Sequence, residues 1–348
     1  MFTLMLMGGG LSLLALPAYA HVKWFAPYDV TSAPRALSEL LTPSFYIIGA
    51  LSLLTVFIAA WLDRSLVRVN HRLDYYRGLL TQRLPQHYEF DMLRYTLLIF
   101  FTAVWTLGGV ILTPELKHES VFISSLHVFM IASLLFRKTT VFAGIGIFAL
   151  WFYSAYHYGF FHLSDYMIFL GIAIFIILYS LYPNRDTGWR YIILYAAISF
   201  TLQWASVEKF VYASWSYPLL ESFPHLTMGL SKESFMDLGG FGEFFLAFLL
   251  IAVAGFSFVG TTIFLAAIFI AAIYDFGKID AVGHIAIIVA LFMMAMHGPT
   301  KLNLWFANLH TRPVINAFYV TLIYSVSVVF FFLIYYLVRK AWLLTVTH

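Results

Sequence analysis

Long apolar stretches separated by short charged joints run through almost the whole of this 348-residue chain. Read in order they fall near 43–62, 93–112, 121–136, 139–156, 165–182, 190–209, 238–258, 261–275, 283–297 and 316–338. Each is close to the roughly 20 residues that an α-helix needs to cross a bilayer core. A backbone inside hydrocarbon must satisfy its own hydrogen bonds, so apolar runs of this kind predict helices rather than open sheets. The expected fold is therefore all-α: a polytopic membrane helix bundle of about ten transmembrane helices, with the lipid bilayer as its first partner. Composition agrees, at 62% hydrophobic and 11% charged residues, against roughly 25% charged in soluble domains. The net charge of +3 is small and dispersed, which excludes nucleic acid as a partner. Cysteine is absent, which excludes disulfides, thiolate metal sites and iron–sulfur clusters.

Residues 1–20 are apolar and end in Leu16-Pro17-Ala18-Tyr19-Ala20, a small-residue pattern that resembles a signal peptidase site without the usual basic start. Cleavage there is expected to leave His21 first. Basic residues set the expected orientation. Arg64, Arg68, Arg72, Arg77, Arg83 and Arg94, Arg137 and Lys138, Arg185 and Arg190, and Lys301 and Arg312 fall on one side if the helices alternate. That places 12 basic residues inside and eight outside, so the mature N-terminus is expected outside. The expected location is the cell inner membrane, multi-pass, with the N-terminus in the periplasm. Arg339 and Lys340 run against this pattern.

The chain divides into 21–91 (an outer segment, the first span and a basic cytoplasmic loop), 92–187, 188–297, and 298–348 (a cytoplasmic loop and the last span). The two middle parts look alike. Each opens on an arginine (Arg94, Arg190), carries a tryptophan within its first helix (Trp105, Trp204), and joins its third and fourth helices through similar segments, Tyr156–Tyr166 and Tyr274–His284. Both start on the same side, so the expected repeats are parallel.

The second unit collects ionisable residues at one expected depth: Glu208 and Lys209 at the end of its first helix, Glu243 in its second, and Asp275, Lys278, Asp280 and His284 after its third. A charge near hydrocarbon costs about 2.5–3.5 kcal/mol on insertion scales, so Glu243 needs a partner, and Lys209 is the nearest candidate. An ion pair that only holds helices together and a proton-handling, metal or quinone-headgroup site are both open here. The first unit has imidazoles instead: His118, His127, His157 and His162, with Asp165 beside them. With His21, whose amine and ring resemble the histidine brace of copper proteins, these are the candidate metal ligands. Copper is the favoured metal, since imidazole and carboxylate suit Cu(II), Zn(II) or Fe(II). His127 with His284 is one conceivable haem pair, although no spacing demands it. Val22-Lys23-Trp24-Phe25 reads as an interfacial anchor.

Residues 188–297 resemble the DoxX family of four-helix membrane proteins. The resemblance is carried by Arg190, by Glu208-Lys209-Phe210, by Glu243, by Gly255 and Gly260, and by Ala271-Ala272-Ile273. Residues from about 92 to 182 look like a diverged second copy, in which Gly109-Val110 replaces the Glu-Lys pair and His127 stands for Glu243. The resemblance implies two parallel four-helix DoxX-like repeats and a link to redox chemistry. Some family members are similar to the membrane subunit of thiosulfate:quinone oxidoreductase, and others act as membrane assembly partners. The expected function is thus a redox-linked membrane protein, such as an oxidoreductase subunit linked to a quinone or a metal, with Glu208, Lys209, Glu243 and Asp275 in the chemistry. Trp204, Asp280 and His284 are expected to bind the cofactor. The alternatives are a non-catalytic partner of a periplasmic redox protein or another membrane subunit, and a transporter of a metal or small solute. Apolar helix middles argue against transport.

Overall fold

The computed structural model describes residues 22–26, 28–29, 31–183 and 188–346. The expected signal segment and His21 lie outside the described residues. Those described are helical or loop, with one isolated bridge between Val110 and Lys117. The main helices are α1 (Pro43–Ser65), α2 (Val67–Thr81), α3 (Tyr88–Leu107), α4 (Val121–Leu134), α5 (Thr140–Tyr158), α6 (Met167–Leu181), α7 (Trp189–Val211), α8 (Lys232–Ala252), α9 (Phe256–His297), α10 (Lys301–Ala307) and α11 (Pro313–Val346).

Seven helical stretches among the described residues are long and apolar enough to cross a membrane: Pro43–Ser65, Tyr88–Leu107, Arg137–Tyr158, Phe160–Leu181, Lys232–Ala252, Phe256–His297 and Pro313–Leu344. The chain is a multi-pass membrane protein. Its outer helices α1 and α11 show broad apolar faces, with Ile47, Leu51, Leu54, Phe318, Val329 and Leu333 all exposed. In water such a surface would aggregate. Against acyl chains it needs no cover.

The helix α7 is not among the seven, because it carries Arg190, Gln203, Glu208 and Lys209. It is instead the most enclosed helix, packed between α6 and α8. Its polar groups are satisfied within the bundle. Ser199 donates to the carbonyl of Ala247 at 2.7 Å, and Gln203 donates to Ser199 Oγ at 2.8 Å. Ser327 of α11 donates to Gln203 Oε1 at 3.0 Å. Partnered in this way, hydroxyl and amide groups hold helices together in lipid.

The 42-residue α9 is not one straight rod. At Gly277 the backbone turns to φ 74° and ψ −150°, a conformation that a side chain would strain. Phe269 and His284 have ring centroids 4.8 Å apart, whereas fifteen residues of straight helix would separate them by roughly 22 Å. Tyr195 packs against both Phe258, near the start of α9, and His297, at its end. The helix therefore doubles back on itself, and the joint expected between 275 and 283 is a single-residue break.

The stretch expected as a basic loop holds a helix, α2. None of its residues is buried. Asp63, at the end of α1, accepts from the amides of Ala254, Gly255 and Ser257 at 2.7–3.1 Å and so caps the start of α9. Asn70 of α2 accepts from Phe256 N at 2.8 Å. These bonds fix α2 across the end of the bundle.

Candidate functional site

Four connections meet at the end of the bundle where α7 finishes: the α3–α4 loop, the turns between α5 and α6, the break in α9, and the segment ahead of α1. That last segment does not lie on a membrane surface as an anchor would. Val22–Trp24 forms a short turn that enters the bundle, and Lys23 is buried at 6% exposure. Its ammonium lies against Asp165, in the turn Ser164–Tyr166, and 2.6 Å from Glu208 Oε2 on α7. The rings of Trp215 and Tyr28 stand 5.6 and 5.8 Å from it. Burial alone would lower the Lys23 pKa, but Asp165, Glu208 and Glu115 more than offset this and raise it well above the ordinary lysine value, so the ammonium stays charged.

A second buried pair sits alongside. Glu115, in the α3–α4 loop, lies 3.0 Å from His162 Nε2, and both side chains are 3% exposed. Tyr166 donates its hydroxyl to the same carboxylate, and Tyr28 Oη is 3.3 Å from His162 Nε2. Burial pushes the Glu115 pKa up. The opposing influence of His162, Lys23 and the Tyr166 hydroxyl is larger and holds it down at about 2. One oxygen of each carboxylate, Glu115 Oε2 and Asp165 Oδ1, has no hydrogen-bond partner among the described residues.

Next to this network is a cavity of about 40 Å³. Polar groups of Thr113, Asp165, Tyr166, Thr201, Lys209, Glu243 and His284 line it, and Ile168, Phe169, Ile172, Leu202, Phe269 and Ile287 form much of its apolar wall. Lys209 and Glu243 are hydrogen-bonded to each other from α7 to α8. Trp24 closes another side. Its indole lies over Gly283, where an added Cβ would come within 2.0 Å of the ring, and its ring centroid is 4.8 Å from that of His284. His284 Nδ1 is 3.0 Å from Asp280 Oδ1, one turn earlier on α9.

The structure thus brings Glu208, Lys209, Glu243, Asp280 and His284 to one end of the bundle, with Lys209, Glu243 and His284 on the cavity wall. Asp275 is elsewhere, on the exterior, 3.2 Å from His225 Nε2. Trp204 is packed among Phe161, Phe200 and Tyr335 and does not line the cavity. The candidate metal ligands are dispersed. His118 stacks on His157 at 4.6 Å and bonds to Tyr153 Oη at 2.8 Å, while His127 is bonded to the carbonyl of Ile111 at 2.9 Å. His162 is the one drawn into the network. Among the described residues no three His, Asp or Glu side chains gather in a way that would hold a metal ion. The copper brace expected at His21 lies outside the described residues.

Sequence reasoning missed Lys23 and Glu115. The aromatic residues after Lys23 suggested a surface anchor, and nothing around Glu115 distinguished it from an ordinary loop carboxylate. Ionisable residues also mark the opposite end of the bundle, among them Arg94 and Arg137. There His297 Nδ1 lies 2.9 Å from Glu89, Tyr191 donates to the same carboxylate, and Arg137 and Arg94 pair with Asp91. Comparison of the chain with protein-family models, with curated proteins and with solved structures gave no match.

Proposed function

We propose that this is an integral inner-membrane, DoxX-like protein whose buried network exchanges protons with the adjoining cavity, in support of a redox-linked reaction at the periplasmic face. In this reading the chain crosses about ten times as two parallel four-helix units between a leading and a trailing span. One observation carries the proposal: three carboxylates, Glu115, Asp165 and Glu208, surround one lysine, Lys23, and one histidine, His162, with almost no solvent. Even with His162 charged the group is one negative charge in excess, and an uncompensated buried charge is costly. Holding one proton removes that cost. The unpartnered Asp165 Oδ1 and Thr113 Oγ1 both belong to cavity-lining residues, and a space of this size suits water. Lys209 and Glu243 line the same cavity, where Glu243 can pass a proton and Lys209 balances its charge.

The fit of the expected cofactors differs from this. The described residues supply no converging donor set for copper. A quinone ring needs more room than this cavity offers, since even benzene occupies a cavity of about 150 Å³. No step is therefore routed through either group, and the redox partner meets the protein outside the cavity. A competing reading treats the ion pairs as clamps that only hold the N-terminal segment to the bundle. The completeness of the Lys23 contacts favours it.

Infrared spectroscopy of the protein in lipid nanodiscs separates the two. A protonated carboxyl band at neutral pH, lost in Asp165→Asn and in Glu208→Gln, is the expected result. A spectrum with every carboxyl ionised at neutral pH would leave only the clamp.

A further inference from the structure

At the end of the bundle away from the charge network, α1, α8 and α9 enclose an apolar groove of about 750 Å³. Phe245, Leu249, Phe256, Gly260 and Phe264 line it together with Leu73 of α2. Its walls are membrane-crossing helices, so what reaches it is hydrocarbon. The groove is wide enough for a ligand of ordinary size.

The position of α2 gives this groove a polar end. With 23 residues α1 is roughly 34 Å long, just over the ~30 Å bilayer core, so α2 begins where the headgroups do. The stripe Leu66, Asn70, Leu73 and Arg77 is the less exposed face. On the remaining surface Arg68, His71 and Arg72 are exposed together with Tyr75, Tyr76 and Leu80. Basic and aromatic residues in this arrangement suit a helix lying at headgroup level. Arg68 and Arg72 are one turn apart and share a side of the helix. Neither is ion-paired among the described residues, whereas the neighbouring Arg77 is paired with Asp74 at 3.2 Å and Arg64 is bonded to Asn308 at 3.0 Å. The amides of Phe256 and Gly255 donate to Asn70 and Asp63 and so fix α2 across this end of the groove, with Leu73 toward it and Arg68 and Arg72 on the exposed side of the same helix.

We propose that this end of the protein binds an anionic glycerophospholipid, with an acyl chain in the groove and the phosphate against Arg68 and Arg72. The site is independent of the proton-handling reading, because it shares no residue with the charge network. Charge selects the headgroup and the groove supplies the hold.

Native mass spectrometry of the full chain in a neutral detergent, titrated with phosphatidylglycerol or phosphatidylcholine, tests it. Wild type should retain phosphatidylglycerol in preference, and Arg68→Gln with Arg72→Gln should reduce that preference by roughly five-fold per arginine while leaving phosphatidylcholine retention unchanged. Gly260→Leu should reduce retention of both lipids. It leaves the helix packing intact, because an added Cβ there meets nothing within 4 Å. Excess inorganic phosphate should not displace the bound lipid. Equal retention of the two lipids by wild type, full retention by Gly260→Leu, or displacement by phosphate alone would each overturn the proposal.

Discussion

The Nζ of Lys23 lies 2.6 Å from Oε2 of Glu208, tying the segment ahead of the first membrane span to the end of the most enclosed helix. Asp165 completes this contact from the α5–α6 connection. A single lysine therefore joins three parts of the chain that are distant in sequence, and it does so where hydration cannot substitute for its partners.

Lys23→Met leaves Asp165 and Glu208 facing each other without a cation. Breaking a buried pair by removing one partner costs about 3–5 kcal/mol. The thermal midpoint of the detergent-solubilised protein should fall clearly. The triple variant with Asp165→Asn and Glu208→Gln should recover most of the loss, because no buried charge is then left alone. A triple variant no more stable than Lys23→Met would show that lysine packing, not charge, is what matters.

The Glu115 pair sets an acid limit. Its carboxyl titrates at about 2 in the folded protein against an ordinary 4.5. A depressed carboxyl contributes stability above its unfolded value and loses it as pH falls toward its folded value. The wild-type stability curve should therefore decline between about pH 4.5 and pH 2. Glu115→Gln should begin lower, by about 3 kcal/mol at neutral pH, and should show a shallower decline over that window. Chemical denaturation at a series of pH values measures both. Parallel curves for the two proteins would mean that Glu115 does not supply the acid sensitivity.

Glu243→Gln keeps a hydrogen-bond acceptor for Lys209 but removes the charge and the exchangeable proton. Proton uptake in the same preparation, followed with a pH-sensitive dye after a pH jump, should slow at least tenfold while the fold persists. Glu243→Asp should restore part of the rate. If Glu243→Gln exchanges as fast as wild type, the cavity delivers protons by another wall.

Much of the fold was legible because lipid imposes a strict rule on backbone polarity. Apolar runs near 43–62, 139–156 and 316–338 became membrane-length helices at nearly those positions, and the run near 93–112 became one displaced by five residues, Tyr88–Leu107. The Lys209–Glu243 contact was legible for a related reason: a carboxylate that deep needs a cation, and Lys209 was the nearest. Helix α2 was not legible, because its arginines were read as a loop although the stripe Leu66, Asn70, Leu73 and Arg77 has helical spacing. Neither was the network around Lys23. Its members come from the leading segment, two loops and α7, and pattern within any one of those segments says nothing of their convergence. The histidines misled for the opposite reason. Proximity in sequence and a shared expected depth put His118, His157 and His162 together, but the turn at Gly159 sends His162 inward to Glu115 and leaves His157 stacked on His118.

Trp24 and Gly283 provide a direct test of access to the cavity. The indole occupies the space that a side chain at 283 would need, so Gly283→Leu should displace Trp24 and open this wall. The chain has no cysteine, and Thr201→Cys would place one unique thiol on the cavity lining. In the single variant a water-soluble, membrane-impermeant thiol reagent should react slowly, since Thr201 is buried. With Gly283→Leu added, labelling should accelerate at least tenfold, and tryptophan emission should shift to longer wavelength as Trp24 becomes hydrated. The reagent supplied from one face of sealed vesicles also reports which side the cavity faces. Fast labelling already in Thr201→Cys alone would mean that the cavity is open without movement of Trp24, and equally slow labelling in both would mean that another group closes it.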